Sequence, residues 1–252
     1  MVMMKVKELV RKVLPPSLVI HLIAMKNYRN GEPELKILKS LVDSSKNSID
    51  IGANKGVYTY FLSRLSPHVF AYEPNPELAK FLNQSVGSNV TVQAIALSNK
   101  DGQATLSIPV IDSFLYDQLG TLSDAVAPSS PEKSYSVTLK PLDRQGHENI
   151  GFIKIDVEGH EEAVIDGAIN LLKQQRPTLM VEIEQRHHPD RDITEIFSKI
   201  LSLGYEGFFL FDRELKNINS FSVEKYQDTK NYVGHASLGK TYISNFIFKS
   251  QH

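Results

Sequence analysis

The sequence predicts an α/β fold with a doubly wound, mostly parallel sheet. Three observations support this prediction. Residues 48–51 form a short apolar segment that is followed by a glycine turn and an apolar helical segment. Short segments rich in β-branched residues alternate with helical ones along the rest of the chain. With 252 residues and 41% hydrophobic content, the chain can fill the core of one such domain.

Composition excludes several classes of protein. The net charge of −1 and a pI near 6.7 do not fit a general nucleic-acid-binding surface. The absence of cysteine excludes disulfides, a thiolate nucleophile and a cysteine zinc site. The longest early apolar run, residues 18–25, is too short to span a bilayer, and no small-residue cleavage site is evident. We therefore expect a cytoplasmic protein without a signal peptide.

Residues 1–47 precede the first predicted strand and are expected to form a helical extension to a domain of residues 48–252. Residues 1–30 carry six basic side chains against one acidic side chain. Apolar positions in residues 6–14 recur at helical spacing, and Pro15 and Pro16 are expected to end that helix. A basic amphipathic helix can cap the core or lie on an anionic membrane, and both readings stay open.

The central motif is S-I-D-I-G-A-N-K-G-V-Y-T-Y-F at residues 48–61. Gly52 and Gly56 allow a tight turn that brings backbone N–H groups and a ligand together. Asp50 lies at the end of a buried strand, where a carboxylate needs a partner. Positions 54 and 57 lack the glycines of the dinucleotide-binding fingerprint, and there is no P-loop.

A second acidic residue follows the next predicted strand, residues 69–72. Glu73 comes 23 residues after Asp50 and is followed by P-N-P, which directs the chain out of the sheet. In doubly wound sheets, an acidic residue at this position binds ribose hydroxyls. The spacing therefore favours a ribose-binding role for Glu73.

A second motif, I-K-I-D-V-E-G-H-E at residues 153–161, follows the fourth predicted strand. Asp156, Glu158 and His160 lie between this strand and a helix. Carboxylates this close repel one another unless a cation or a proton lies between them. A cationic ligand, a metal ion or a substrate hydroxyl could each serve.

These two motifs, D-I-G-A-N-K-G-V-Y-T and I-K-I-D-V-E-G-H-E, resemble those of the FkbM family of S-adenosylmethionine (SAM) methyltransferases. The resemblance covers roughly residues 48–185. It implies a seven-stranded sheet with an antiparallel last strand and SAM at the carboxyl ends of the strands. The residues that it implies for binding SAM are Asp50, Gly52, Asn54, Gly56, Thr59, Glu73, Asn75, Ser98 and Asp156.

The implied reaction is methylation of a hydroxyl group on a sugar, a glycolipid, a polyketide or a similar small molecule. His160 and Glu158 are candidates for the base that removes the hydroxyl proton, and a histidine titrates near neutral pH. Asp156 could instead hold the methionine amino group or a divalent cation. No set of metal-ligating residues is predicted, because adjacent His187 and His188 would face different ways on a strand.

Two alternative functions remain open. The first is a nucleotide-binding oxidoreductase, and the missing glycines at positions 54 and 57 argue against it. The second is a non-catalytic interaction module, and the intact first motif argues against that. Residues 109–134 are expected to form a loop on the substrate side. Residues 1–30 are expected to be dispensable for binding SAM. Gly52→Val is expected to abolish binding with little effect on folding.

Overall fold

Thirteen strands and eight α-helices alternate along the part of the chain that the computed structural model describes, residues 14–111, 114–115, 121–123, 132–228 and 242–250. The strands are β1 (Asn47–Ile51), β2 (Val69–Tyr72), β3 (Val90–Gln93), β4 (Ala96–Leu97), β5 (Gly102–Ile111), β6 (Phe114–Leu115), β7 (Thr121–Ser123), β8 (Glu132–Lys140), β9 (Ile150–Ile155), β10 (Thr178–Glu182), β11 (Tyr205–Phe211), β12 (Glu214–Asn217) and β13 (Asn245–Ser250). The helices are α1 (Pro16–Asn30), α2 (Leu38–Leu41), α3 (Val57–Leu62), α4 (Pro76–Ser85), α5 (Glu161–Asp166), α6 (Ile169–Gln175), α7 (Thr194–Ser202) and α8 (Val223–Tyr226).

The main sheet has the order β12-β11-β13-β10-β9-β1-β2-β3. Strands β10, β9, β1, β2 and β3 run parallel, and β13 is antiparallel to both β10 and β11. The predicted fold class and the antiparallel last strand are therefore confirmed. The predicted count of seven strands is wrong, because Asp212 and Arg213 adopt positive φ and turn the chain back to form β12.

A second sheet of five described strands covers one side of the main sheet's carboxyl edge. It has the order β4-β8-β5-β6, with β7 paired to β5. Leu106, Ile108, Val137 and Leu139 form a separate apolar cluster within it. The region predicted as a loop, residues 109–134, contains the end of β5, β6, β7 and the beginning of β8, and its remaining residues lie outside the described ones.

The N-terminal helix α1 belongs to the core. Ile20 and Ala24 are buried and pack against the neighbouring helices α3 and α4. Gly56 makes this possible, since a Cβ atom there would lie 2.8 Å from Ile20 and 2.4 Å from Leu82. The expectation that residues 1–30 are dispensable therefore does not agree with the packing of α1.

Pro16 begins α1, because a proline is tolerated at the first position of a helix. The basic helix predicted before it lies in residues 1–13, outside the described ones. No helix in the described ranges is long and apolar enough to cross a membrane.

Gly52 joins β1 to the turn that follows it, at a φ of +78°. A Cβ atom at this position would lie only 1.8 Å from the carbonyl oxygen of Asp156, which follows the neighbouring strand β9. The glycine is needed for this close approach of two backbones. The expectation that Gly52→Val leaves folding nearly intact is therefore wrong.

Glu34 is buried in a 3₁₀ helix, Pro33–Lys36, between α1 and α2. Burial raises the pKa of this carboxyl group to about 8, and the negative charge of Glu32 adds to the effect. Glu34 is consequently neutral in the folded protein near neutral pH. At this pH the carboxyl group is ionised in the unfolded chain, so folding has to take up a proton, which lowers the stability of the folded protein.

We expect Gly52→Ala to destabilise the protein by roughly 2–6 kcal/mol, from the strain of positive φ and the overlap with Asp156. Gly146→Ala is the matched control, because Gly146 has a φ of +67° and nothing within 4 Å of a Cβ atom. It should cost only about 1–2 kcal/mol. Denaturant unfolding of both variants measures the difference, and equal losses would contradict the steric argument.

We expect Glu34→Gln to change how stability depends on pH. The folded-state pKa of Glu34 lies above its unfolded value, so the wild type loses stability between about pH 4.5 and about pH 8 as the unfolded state ionises first. The amide variant cannot ionise and should gain on the order of 2–5 kcal/mol relative to the wild type over that range. Urea unfolding at several pH values tests this, and parallel pH profiles of the two proteins would refute it.

Candidate active site

A pocket opens at the carboxyl ends of β1, β2, β9 and β10. Because parallel strands end at the same edge of a sheet, the residues that follow them converge there. Most of the predicted site residues lie in its wall. These are Asp50, Gly52, Asn54, Glu73, Asn75, Asp156 and Glu158.

Asp50 lies at the inner end of this pocket and is 2% exposed. Burial raises the pKa of its carboxyl group to about 6. The hydroxyl group of Thr59, on α3, opposes this shift by donating a hydrogen bond of 2.5 Å to Asp50 Oδ2. Thr59 does not line the pocket, so its role is to orient and stabilise Asp50.

Glu73 holds the glycine turn and the segment after β2 together. Its Oε2 accepts a hydrogen bond of 2.7 Å from the backbone N–H of Asn54, which has a φ of +48°. Its Oε1 accepts one of 2.8 Å from the backbone N–H of Asn75. Asn75 in turn caps α4 by accepting from the N–H of Glu77. A carboxylate has about four acceptor positions, so Glu73 can still accept hydrogen bonds from a ligand.

Lys154 is fully buried on β9 and lies at the centre of the other end of the pocket. Its Nζ donates a hydrogen bond of 2.7 Å to Asn245 Oδ1. It lies 3.9 Å from Asp156 Oδ2 and 3.8 Å from Glu182 Oε2. These carboxylates raise the pKa of Lys154 against the effect of burial, so the ammonium group stays charged.

The N-terminal segment contributes Glu32 to the same end of the pocket. Glu32 Oε2 accepts hydrogen bonds from the hydroxyl group of Tyr58, at 2.5 Å, and from Asn245 Nδ2, at 3.1 Å. Asn245 thus connects Glu32 to Lys154 through its two amide atoms. We refer to Glu32, Asp156, Glu158 and Glu182, arranged around Lys154, as the acidic end of the pocket.

Asp156 and Glu182 are the most strongly perturbed acids of the acidic end. Burial raises the pKa of both carboxyl groups. The charge of Lys154 opposes the shift, whereas Glu158 raises the pKa of Asp156 further and Asp156 raises that of Glu182. The same surroundings therefore shift both acids towards their protonated forms.

Glu158 adopts a φ of +48° and faces an ion-pair cluster beside the pocket. His187 Nδ1 lies 2.8 Å from Glu158 Oε2, and Arg186 lies 4.0 Å from the same carboxylate. Ligand atoms of Glu158, Glu184 and His187 lie within 4.8 Å of one another. However, Arg186 donates two hydrogen bonds of 2.8 Å to Glu184, so we assign an ion-pair cluster here.

His160 does not reach the pocket wall. It lies at the N-terminus of α5, and its Nε2 is 3.0 Å from the hydroxyl oxygen of Ser98. Ser98 is 1% exposed and follows β4. Gly56 also lies outside the wall and serves the packing of α1. The structure therefore brings Asp156 and Glu158 to the pocket, and places His160, Ser98 and Gly56 behind it.

The opposite wall of the pocket is apolar. It is built by the segment around β4 and by two residues of β5, so the second sheet encloses the pocket from above. The side chains are those of Ile95, Ala96, Leu97, Leu106 and Ile108.

Sequence analysis did not identify Glu32, Lys154 or Glu182 as site residues. Glu182 and Lys154 could have been identified from the sequence, because charged residues inside otherwise apolar strands of a parallel sheet need a functional or structural partner. Glu32 carried no comparable signal, since it lies outside both motifs in a turn before the sheet.

The solved structures with similar folds include several methyltransferases. The structure of methyltransferase FkbM from Methylobacillus flagellatus has 15% identity and a TM-score of 0.50, covering 81% of this chain but 44% of that protein. The chain thus spans less than half of its length. A SAM-dependent methyltransferase from Aquifex aeolicus has 14% identity and a TM-score of 0.43, covering 94% and 98% of the two chains. An rRNA methylase from Streptococcus thermophilus has 12% identity and a TM-score of 0.47, covering 87% and 95%.

No curated protein sequence matches the chain significantly. The family model of the methyltransferase FkbM domain matches residues 50–206, which is more than half of the chain and includes both motifs. This match confirms the resemblance to the FkbM methyltransferases and agrees with SAM as the cofactor. The chain belongs to the FkbM family of methyltransferases.

Proposed function

We propose that this enzyme transfers a methyl group from SAM to a hydroxyl group of a sugar, a glycolipid, a polyketide or a similar small molecule. The observation that carries the proposal is a single pocket with three chemically different parts. It combines Glu73 at the end of β2, an apolar wall, and the acidic end.

The residues of the pocket fit the parts of SAM. Glu73 is positioned to accept hydrogen bonds from ribose hydroxyls, as acidic residues after the second strand do in nucleotide-binding sheets. The apolar side chains of Ile95, Leu97 and Leu106 suit an adenine ring. The acidic end suits the positive charges of the amino and sulfonium groups. When bound, SAM supplies an electrophilic methyl group.

The protein must remove a proton from the acceptor hydroxyl and hold that oxygen in line. A positioned base typically contributes about 10²–10⁴-fold. The candidates are Asp156, Glu158 and His160, of which Asp156 and Glu158 line the pocket. Activation of the hydroxyl by a divalent cation remains a hypothesis, and Lys154 already supplies one fixed positive charge at the centre of the acidic end.

A contact of the N-terminal basic segment with an anionic membrane also remains a proposal. That segment, residues 1–13, lies outside the described residues. The four basic side chains of this segment, against one acidic side chain, are the observation that supports it.

We expect Glu73→Gln to weaken the binding of SAM and of its demethylated product, S-adenosylhomocysteine (SAH). Loss of charge-assisted hydrogen bonds should cost about 1.5–3 kcal/mol, or roughly 10–100-fold in Kd. Glu77→Gln is the matched control, because Glu77 is an exposed carboxylate four residues further on and should bind both ligands normally. Titration calorimetry measures both. If the wild type binds neither ligand at millimolar concentration, the proposed function is wrong.

We expect the three base candidates to differ in their effect on turnover. Asp156→Asn should lower it by about 10²–10⁴-fold when SAM is saturating. Glu158→Gln should lower it less, and His160→Asn least, because His160 Nε2 faces Ser98 and not the pocket. Transfer of a radiolabelled methyl group to a panel of sugar, glycolipid and polyketide acceptors measures turnover. A total loss in His160→Asn alone would restore the histidine as the base.

A further inference from the structure

Glu182 is the one strongly perturbed acid of the acidic end that neither motif contains. It ends β10, beside β9, and Val181 is in register with Ile155. The next residues along the two strands, Glu182 and Asp156, therefore lie side by side at the edge of the sheet. The carboxylate oxygens of Asp156 and Glu182 lie 3.9 and 3.8 Å from the same atom, Lys154 Nζ.

The charges around these two acids do not balance. Lys154 is the fully buried cation within 4 Å of both carboxylates. Glu158, from the turn after β9, and Glu32, from the N-terminal segment, add further negative charge. The neutral side chains of Tyr58 and Asn245 complete the surroundings of Lys154.

One ammonium group can compensate one of the two carboxylates, and the second is stabilised by a proton. Two carboxyl groups that share a site behave in this way, because like charges at close range raise the pKa of one of them. Burial and mutual repulsion raise the pKa values of both Asp156 and Glu182. Their side chains are 29% and 12% exposed, so the pair is shielded but open to the pocket.

We propose that Asp156 and Glu182 share one proton and that this carboxyl pair, not His160, accepts the proton of the acceptor hydroxyl. The inference rests on the proposed function. It names Glu182 as a further catalytic residue and gives Lys154 the role of keeping one member of the pair ionised.

The proton and electron balance of the step is complete. The acceptor oxygen uses its own electron pair to form the new bond to the methyl carbon. The electron pair of the broken carbon–sulfur bond stays on sulfur, which becomes neutral. The hydroxyl proton moves to an ionised carboxylate of the pair, and one proton then passes from the pair to solvent through the pocket.

The shared proton predicts a proton release on ligand binding, which can be measured without knowing the methyl acceptor. A positive charge beside two acids lowers their pKa values, so binding of a cation should expel the shared proton. SAM carries one positive charge more than SAH because of its sulfonium group. SAM binding should therefore release more protons than SAH binding near neutral pH. For a one-unit shift centred on the working pH, the difference is about 0.5 proton per ligand.

The experiment is titration calorimetry of the full chain with SAM and with SAH at pH 7, in buffers of different ionisation enthalpy. The wild type should show the excess proton release with SAM. Glu182→Gln should abolish the excess, because the remaining Asp156 is then ionised beside Lys154. Glu77→Gln is the control, since Glu77 is an exposed carboxylate that does not line the pocket, and it should behave like the wild type.

Asp156→Asn provides a second variant if Glu182→Gln does not fold, and it must abolish the same excess. Binding of both ligands to the wild type with equal proton release would overturn the carboxyl pair while leaving the proposed function standing. An excess that persists in Glu182→Gln or in Asp156→Asn would also overturn it. Failure of the wild type to bind either ligand would instead reject the proposed function and, with it, this inference.

Discussion

The site depends on burying one ammonium group in the middle of a parallel sheet. An unpaired charge at the position of Lys154 would be very costly, so the surrounding chain has to supply acceptors and negative charge. Asn245 accepts its hydrogen bond, two carboxylates approach within 4 Å, and the ring of Tyr58 lies 4.9 Å from Nζ. These partners come from four different elements, and they shape the acidic end of the pocket.

The two motifs were sufficient to predict the fold and the part of the site that lies at the ends of β1, β2 and β9. That part follows from local rules, since parallel strands present their terminal residues at one edge. Distant contacts set the rest. Glu32 and Asn245 are 213 residues apart, and no pattern in the sequence joins them. The role of Gly52 was also misjudged, because the backbone that it approaches belongs to another strand.

The pocket joins two surfaces with different physical properties. The second sheet supplies an apolar wall that can bind a flat, uncharged ring by dispersion and exclusion of water. The ends of β9 and β10 supply charge and titratable protons. This separation allows one elongated molecule to be held by its neutral part while the reacting part lies among groups that exchange protons.

The bridge that Asn245 makes between Glu32 and Lys154 has a consequence for synthesis of the protein. A ribosome adds about 5–20 residues per second, so roughly 10–40 s separate the appearance of Glu32 from that of Asn245. Once β1 and β9 have been made, Lys154 still has no amide partner until Asn245 follows. The interior of the sheet can close around this lysine only when β13 inserts between β10 and β11, so the last of the described strands completes the candidate site.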